Sequence, residues 1–104
     1  MSLDFDTARF NMIEQQIRPW EVLDPTVLDA CAEVHRELFV PDDYRDLAFT
    51  DTTIEIGHGQ VMMAPKVEAR LLQALGVRPA DRVLEIGTGS GYLTALLAKL
   101  GAHV

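Results

Sequence analysis

A glycine-rich segment directly after a short apolar run is the part of this sequence whose residue types point most directly to chemistry. It reads Glu85-Ile86-Gly87-Thr88-Gly89-Ser90-Gly91. Glycines let a backbone turn sharply and approach a ligand closely, and the N–H groups at the start of a following helix face a bound group. The segment therefore predicts a ligand-binding loop. A plain glycine-rich junction between a strand and a helix is the alternative.

The spacing of the glycines discriminates between ligands. A dinucleotide-binding loop needs Gly-x-Gly-x-x-Gly, and its third glycine position is occupied here by Tyr92. A Walker loop ends in Gly-Lys-Ser/Thr, and no lysine follows Gly91. The order acidic-x-Gly-x-Gly-x-Gly instead resembles motif I of the S-adenosylmethionine-dependent methyltransferases. That resemblance implies a loop that holds the amino-acid end of the cofactor and needs no phosphate.

The elements around the loop predict an α/β fold. Residues 82–86 are apolar enough for a strand that is buried on both faces, residues 92–100 are typical of a helix, and residues 101–104 begin another strand. This order opens a βαβ unit, in which a right-handed crossover places two parallel strands side by side. We expect N-terminal helices followed by the start of a Rossmann-like doubly wound parallel sheet of the class I methyltransferase type, incomplete in this chain.

Helix signals occur three times before the loop. Asp6-Thr7 offers an N-cap for the first helix, Asp24-Pro25 opens the second, and Pro65 opens a third that Gly76 ends. Residues 52–56 then alternate like a short strand, which Gly57-His58-Gly59-Gln60 interrupts. The inward face of the third helix is expected to consist of Val67, Leu71, Leu72 and Leu75.

Composition excludes several classes of function. The 104 residues allow one domain at most, and 9 Lys and Arg against 16 Asp and Glu give a net charge of −7, which argues against a nucleic-acid partner. No apolar run approaches the roughly 20 residues of a membrane span, and the acidic start Met1–Asp6 lacks the apolar region of a secretory signal. A single cysteine, Cys31, fits a reducing compartment, so we expect a cytoplasmic protein without a membrane partner. The histidines, His35, His58 and His103, are too scattered for a metal cluster.

Two segments together resemble one family. Ile56-Gly57-His58-Gly59-Gln60 precedes the stretch from Val83 to Tyr92, with Phe39-Val40-Pro41 further upstream, in the order typical of the protein-L-isoaspartate O-methyltransferases. The resemblance runs from about Ile13 to Val104 and matches the N-terminal half of that family. It implies methyl transfer from S-adenosylmethionine to the free carboxylate of L-isoaspartyl residues in damaged proteins, a repair reaction. The partners would be protein or peptide substrates that contain isoaspartyl residues.

The resemblance also assigns site residues. For the cofactor it implies Glu85, Gly87, Thr88, Gly89, Ser90, Gly91 and Tyr92. For the substrate it implies Gly59, Gln60, Val61 and Met62, and the position of the family's catalytic serine falls on Met63. The family reads Thr-Ile-Ser where this chain reads Val61-Met62-Met63, so both hydroxyls are replaced by apolar side chains. Two alternatives follow: a methyltransferase of the same fold with a different substrate, or a non-catalytic member that binds cofactor or partner.

The expected organisation has two parts. Residues 1–76 form an N-terminal helical and substrate-loop region, and residues 77–104 form the first strand, glycine loop and helix of a truncated cofactor-binding domain. The resemblance places an acidic, ribose-binding residue at the end of the second strand, beyond Val104. We therefore expect the 104-residue chain alone to bind S-adenosylmethionine weakly or not at all and to be inactive. Unpaired strand edges around residues 83–86 predict that it self-associates.

Overall fold

The computed structural model describes residues 4–104, so the first three residues of the acidic start lie outside the described residues. Within these residues the chain forms two short antiparallel strands, β1 (Ile54–Gly57) and β2 (Gln60–Met62). Short π and 3-10 segments connect the helices at Ile13–Ile17, Arg18–Trp20, Arg36–Phe39 and Asp42–Leu47. The α-helices are α1 (Phe5–Met12), α2 (Pro25–Glu33), α3 (Pro65–Leu75) and α4 (Tyr92–Lys99).

Local capping signals determine where the helices begin and end. Asp24 caps α2 by accepting a hydrogen bond from the Thr26 N–H at 2.9 Å, as predicted. Gly76 ends α3 with a φ of 61°, the left-handed conformation expected of a C-terminal glycine. The predicted cap of α1 at Asp6-Thr7 is wrong. Asp4 has the extended backbone of an N-cap, and its carboxylate accepts from the Thr7 N–H at 3.1 Å.

The strands β1 and β2 form a hairpin around the predicted break. Gly57 pairs with Gln60, so the connection has two residues, His58 and Gly59. Both have positive φ, 53° and 71°. That pair of left-handed residues is the type I′ turn that a two-residue hairpin favours, because its twist matches the twist of the strands. The hairpin carries residues 61–63 towards the start of α3.

Helix α3 buries a different face from the predicted one. Leu72 is buried, but Leu71 and Leu75 are 44 % and 59 % exposed. The buried positions follow the i, i+3, i+4, i+7 spacing of a helix face, and they are Pro65, Glu68, Ala69 and Leu72. A glutamate therefore occupies a core-facing position, where it pairs with a buried arginine described below.

One continuous apolar core joins the helices to the hairpin. Helix α4 contributes Leu96 and Leu97 to the same cluster that holds Cys31 of α2 and Leu72 of α3. Helix α4 is thereby packed against the N-terminal helices. The proposed division of the chain at residue 76 stays a prediction.

The segment before the glycine loop differs from its prediction. Arg82 pairs in parallel with His103, which confirms the expected βαβ neighbourhood of the two segments. Residues 82–86 are not a strand buried on both faces, however: Leu84 is 86 % exposed and Ile86 89 % exposed. Apolar side chains in a parallel sheet are buried by neighbouring strands and covering helices. Within residues 4–104 the pairing of this segment is limited to the bridge at His103.

Two further properties concern the described part of the chain only. Among the helices of residues 4–104, none is long and apolar enough to cross a membrane. Over the same residues, no three side chains of His, Cys, Asp or Glu come together in a way that could hold a metal ion.

Candidate functional site

The glycine loop, residues 87–91, has a backbone that requires its glycines. Gly87, Gly89 and Gly91 have φ values of 74°, 60° and 87°, a region where a Cβ atom crowds the following carbonyl. The Gly91 N–H donates to the Thr88 carbonyl at 3.0 Å and closes the turn. The Gly91 carbonyl then accepts the first hydrogen bond of α4, from the Ala95 N–H at 3.0 Å. The loop therefore leads directly into a helix N-terminus, as predicted.

A small cavity of about 80 Å³ lies between the glycine loop and the end of the hairpin, where β2 leads into Met63. It brings together two segments that the sequence analysis assigned to different ligands. Residues 61–63 form one wall and the glycine loop forms the other. The lining residues are Val61, Met62, Met63, Glu68, Glu85, Gly87, Thr88, Gly89, Ser90 and Leu93.

The two lining glycines present different surroundings. A Cβ atom added at Gly87 would meet nothing within 4 Å, so the backbone there faces open space. A Cβ atom at Gly89 would lie 3.5 Å from Ile56 Cδ1 of the hairpin. Gly89 therefore lets the loop pack closely on β1, whereas Gly87 leaves room for a bound group to approach the main chain. The loop fits a small-molecule ligand held by its backbone.

Two polar side chains of the loop region hold it to α4. The Glu85 carboxylate accepts a hydrogen bond from the Thr94 hydroxyl. The Ser90 hydroxyl oxygen accepts from the Tyr92 N–H at 3.3 Å, which satisfies a donor at the start of the helix. These two bonds hold the loop against the start of α4.

The charge of the cavity favours a cation. Glu68 and Glu85 line it, and among its described lining residues there is no basic side chain. Burial raises the pKa of Glu68, the nearby Arg36 charge lowers it, and the Glu85 charge raises it further. Arg36 offsets the Glu68 charge at 2.8 Å, so Glu85 is the carboxylate that would repel a phosphate. A ligand that carries an ammonium or sulfonium group would be attracted.

Four of the predicted site residues lie outside the cavity lining. Gly59 and Gln60 are exposed at the tip of the hairpin. Gly91 is the N-cap of α4. Tyr92 is 2 % exposed, with its ring 5.8 Å from that of Phe39, and burial raises the pKa of its phenol. The Tyr92 side chain therefore packs in the core beneath the loop, where it contacts Arg36 and does not line the cavity.

The sequence analysis missed Leu93 of the cavity lining and two further residues of the site region, Arg36 and Glu68. They form a buried ion pair, with Arg36 Nη1 2.8 Å from Glu68 Oε1. The signal that could have found Glu68 is its place between Pro65 and Leu72 on one helix face. A carboxylate at such a position needs a buried cation, because an unpaired buried charge is costly.

The described cavity is smaller than a whole cofactor site. Pockets for ligands of cofactor size usually measure about 300–1,000 Å³. A cavity of about 80 Å³ accommodates only part of such a molecule. The expectation that residues 1–104 alone bind S-adenosylmethionine weakly stays a prediction.

Comparison with known proteins decides the family. The family model described as Protein-L-isoaspartate(D-aspartate) O-methyltransferase (PCMT) matches residues 8–104. This chain belongs to that family. Among similar proteins, a protein-L-isoaspartate O-methyltransferase of Aeropyrum pernix is 50 % identical over 93 residues, which are 89 % of this chain and 36 % of that protein. Protein-L-isoaspartate O-methyltransferase 1 of Rhodopseudomonas palustris is 45 % identical over 100 residues, 96 % of this chain and 41 % of that protein.

A solved structure supports the PCMT assignment at the level of the fold. It is described as a protein-L-isoaspartate O-methyltransferase of Plasmodium falciparum in complex with S-adenosyl-L-homocysteine. The TM-score is 0.70 at 25 % identity, over 96 % of this chain and 43 % of that one. The chain thus spans less than half the length of each of these three PCMT proteins. Its architecture is a set of N-terminal helices followed by the start of the Rossmann-like α/β fold of the class I methyltransferases, incomplete in this chain, as predicted.

Proposed function

We propose that the full-length protein transfers the methyl group of S-adenosylmethionine to the free carboxylate of L-isoaspartyl residues in damaged proteins or peptides. The observation that carries this proposal is the cavity shared by the glycine loop and residues 61–63. It occurs in a chain that belongs to the PCMT family. The Glu85 carboxylate of its lining is the charge that a cationic cofactor needs nearby, since Arg36 offsets the charge of Glu68.

Each lining segment has a proposed role. Gly87, Thr88, Gly89 and Ser90 would hold the amino-acid end of the cofactor through the loop backbone. Glu85 would face its ammonium group while its bond to Thr94 keeps the loop in place. Gly91 and Tyr92 would act indirectly, by fixing the loop on α4. On the substrate side, Val61, Met62 and Met63 would border the methyl acceptor, and the exposed Gly59 and Gln60 would contact the peptide at the rim.

The methyl transfer requires little from the protein beyond positioning the two reactants. When bound, S-adenosylmethionine supplies a methyl carbon that a carboxylate oxygen attacks as the carbon–sulfur bond breaks, with the sulfur keeping the electron pair. An isoaspartyl carboxylate is already ionised near neutral pH, so no general base is needed. The apolar side chains Met62 and Met63 would exclude water from the attacking oxygen, and the walls of the cavity would align the two reactants.

We also propose a cytoplasmic location and protein partners without nucleic acid. The single cysteine, Cys31, is a buried free thiol, which suits a reducing compartment. The net charge of −7 disfavours contact with phosphate backbones. Fractionation of cells that express the tagged full-length protein tests the location, and recovery outside the cytoplasmic fraction would contradict it.

The test of the activity is methyl transfer by the full-length protein. S-adenosylmethionine labelled in its methyl group is incubated with an isoaspartyl peptide or with its twin that contains normal aspartate. We expect base-labile label in the isoaspartyl peptide only. The variant Met63→Ser, tested beside the wild type, shows whether the hydroxyl missing at that position limits the rate. Binding of S-adenosylhomocysteine without transfer to either peptide would instead favour a different substrate or a non-catalytic member.

A further inference from the structure

Arg36 is a fully buried arginine whose guanidinium bonds to three separate parts of the chain. Its Nε donates to the Ala48 carbonyl at 2.6 Å, and its Nη1 donates to Glu68 Oε1 at 2.8 Å. Its Nη2 donates to the Met63 carbonyl at 2.8 Å. The relative exposure of its side chain is 0 %. Because these bonds are shielded from water, each is stronger than it would be at the surface.

The same guanidinium also contacts the start of α4. Its central carbon lies 4.7 Å from the centroid of the Tyr92 ring, the geometry of a cation–π contact. Tyr92 is the first residue of α4 and directly follows the glycine loop. One side chain therefore touches the wall formed by residues 61–63, the helix α3 and the base of the glycine loop.

We propose that Arg36 is a positioning residue that sets the distance between the two walls of the cavity, with Glu68 as its counter-ion. The inference rests on the proposed function, because those walls are the proposed cofactor and acceptor sides. Arginine suits this role since its rigid planar guanidinium holds several acceptors in one fixed arrangement, whereas the lysine ammonium is a compact charge on a flexible stem. The bond to residue 63 uses the backbone carbonyl. The wall is therefore held whichever side chain stands there, so methionine can replace serine without moving it.

A purely structural ion pair is the competing explanation, and a second buried pair in the chain provides the control. Arg9 Nη2 lies 2.8 Å from both carboxylate oxygens of Glu37, and the Arg9 guanidinium lies 5.6 Å from the Phe49 ring centroid. This pair has the same chemistry but is absent from the cavity lining. Arg36→Lys and Arg9→Lys are therefore matched substitutions. Each replaces a buried guanidinium by an ammonium group, one beside the cavity and the other away from it.

The experiment compares both variants with the wild-type full-length protein. Hydrogen exchange followed by mass spectrometry measures the opening of residues 61–64 and 87–92 without any ligand. Calorimetry measures the Kd for S-adenosylhomocysteine, and steady-state methyl transfer gives KM and kcat. We expect Arg36→Lys to speed exchange in both segments and to raise Kd by about tenfold or more, the effect of losing a charged hydrogen bond. Arg9→Lys lowers the melting temperature but changes neither exchange in these segments nor Kd.

A double variant separates positioning from stability. Replacing a buried ion pair by apolar residues of similar volume often preserves folding. We therefore expect the double variant Arg36→Met with Glu68→Leu to fold. Its residues 61–64 and 87–92 should still exchange faster than those of the wild type. If residues 61–64 and 87–92 exchange as slowly in either Arg36 variant as in the wild type, the positioning role is refuted. If the wild type binds no S-adenosylhomocysteine, the proposed function fails, whereas the exchange comparison still decides the role of Arg36.

Discussion

Gly87 offers the sharpest test of how the glycine loop receives a ligand. Its φ of 74° is left-handed, and a Cβ atom placed there would enter open space beside the cavity. Gly76, the residue that ends α3, has a φ of 61° and equally open surroundings, but it is absent from the cavity lining. Gly87→Ala and Gly76→Ala therefore impose the same kind of backbone strain. Only the first places a methyl group where the cofactor is proposed to approach.

The expected cost to stability is similar for both substitutions. A left-handed conformation costs an L-residue roughly 1–2 kcal/mol. Alanine also restricts the unfolded chain, which offsets about 0.4–1 kcal/mol of that cost. Since neither Cβ atom meets another atom within 4 Å, no steric term is added. We expect each variant to lose about 1 kcal/mol of unfolding free energy.

The assay pairs urea unfolding with calorimetric binding of S-adenosylhomocysteine to the full-length protein. Gly87→Ala should weaken binding by about tenfold or more, because the methyl group keeps the ligand from the loop backbone and its hydrogen bonds. Gly76→Ala should bind like the wild type. Equal affinities for both variants, or an equal loss in both, would show that the open space at Gly87 is not where the ligand lies.

Four further predictions follow from individual contacts. Burial raises the pKa of Cys31 to about 12, so this thiol is protonated at pH about 8. A disulfide reagent should therefore modify it only after unfolding, and rapid modification of the native protein would contradict this. Burial raises the pKa of Glu68, so at a pH between the unfolded and native pKa values the native carboxyl keeps a proton that the unfolded one has lost, and above the native pKa it is charged. We therefore compare the unfolding free energies of the wild type and Glu68→Gln as a function of pH. The advantage of the wild type should fall as the pH rises through the native pKa of Glu68, and an advantage that does not change with pH would refute this. Thr94→Val should lower the unfolding free energy by about 1 kcal/mol because Glu85 loses its donor, whereas Thr94→Ser should not. A polypeptide of residues 1–104 should self-associate through exposed Leu84 and Ile86, and Lys at both positions should reduce this; light scattering that shows a monomer at all concentrations would count against it.

Features that depend on a few neighbouring residues were predictable. The start of α2 at Asp24-Pro25 and the extent of α3 from Pro65 to Gly76 each follow from capping chemistry within four residues. The hairpin turn is also local, but its residues were interpreted only as a break after a single strand. The glycine loop belongs to the same class, because its backbone conformation is dictated by its own glycines. The Asp6-Thr7 cap failed for a local reason as well, since Asp4 offers the same carboxylate chemistry earlier in the chain.

Features that depend on distant residues were not predictable. Glu68 is buried because Arg36, 32 positions away along the chain, supplies its charge, whereas charged residues usually lie at the surface. Leu71 and Leu75 are exposed although they are apolar, because no described part of the chain covers them. Ile86 is exposed although its sequence is apolar, because burial in a sheet depends on neighbouring segments. The cavity likewise arises only when residues 61–63 and the glycine loop meet.

The central claim is repair, and conversion of the substrate tests it most directly. An isoaspartyl peptide is incubated for hours with the full-length protein and S-adenosylmethionine, and the isoaspartyl and aspartyl forms are separated by chromatography. The neighbouring backbone amide nitrogen attacks the methyl ester and expels methanol, and water reopens the resulting succinimide partly to aspartate. We therefore predict that the isoaspartyl form declines and the aspartyl form appears, only when both protein and S-adenosylmethionine are present. An isoaspartyl peptide that remains unchanged, at a protein concentration that binds S-adenosylhomocysteine, would contradict the account.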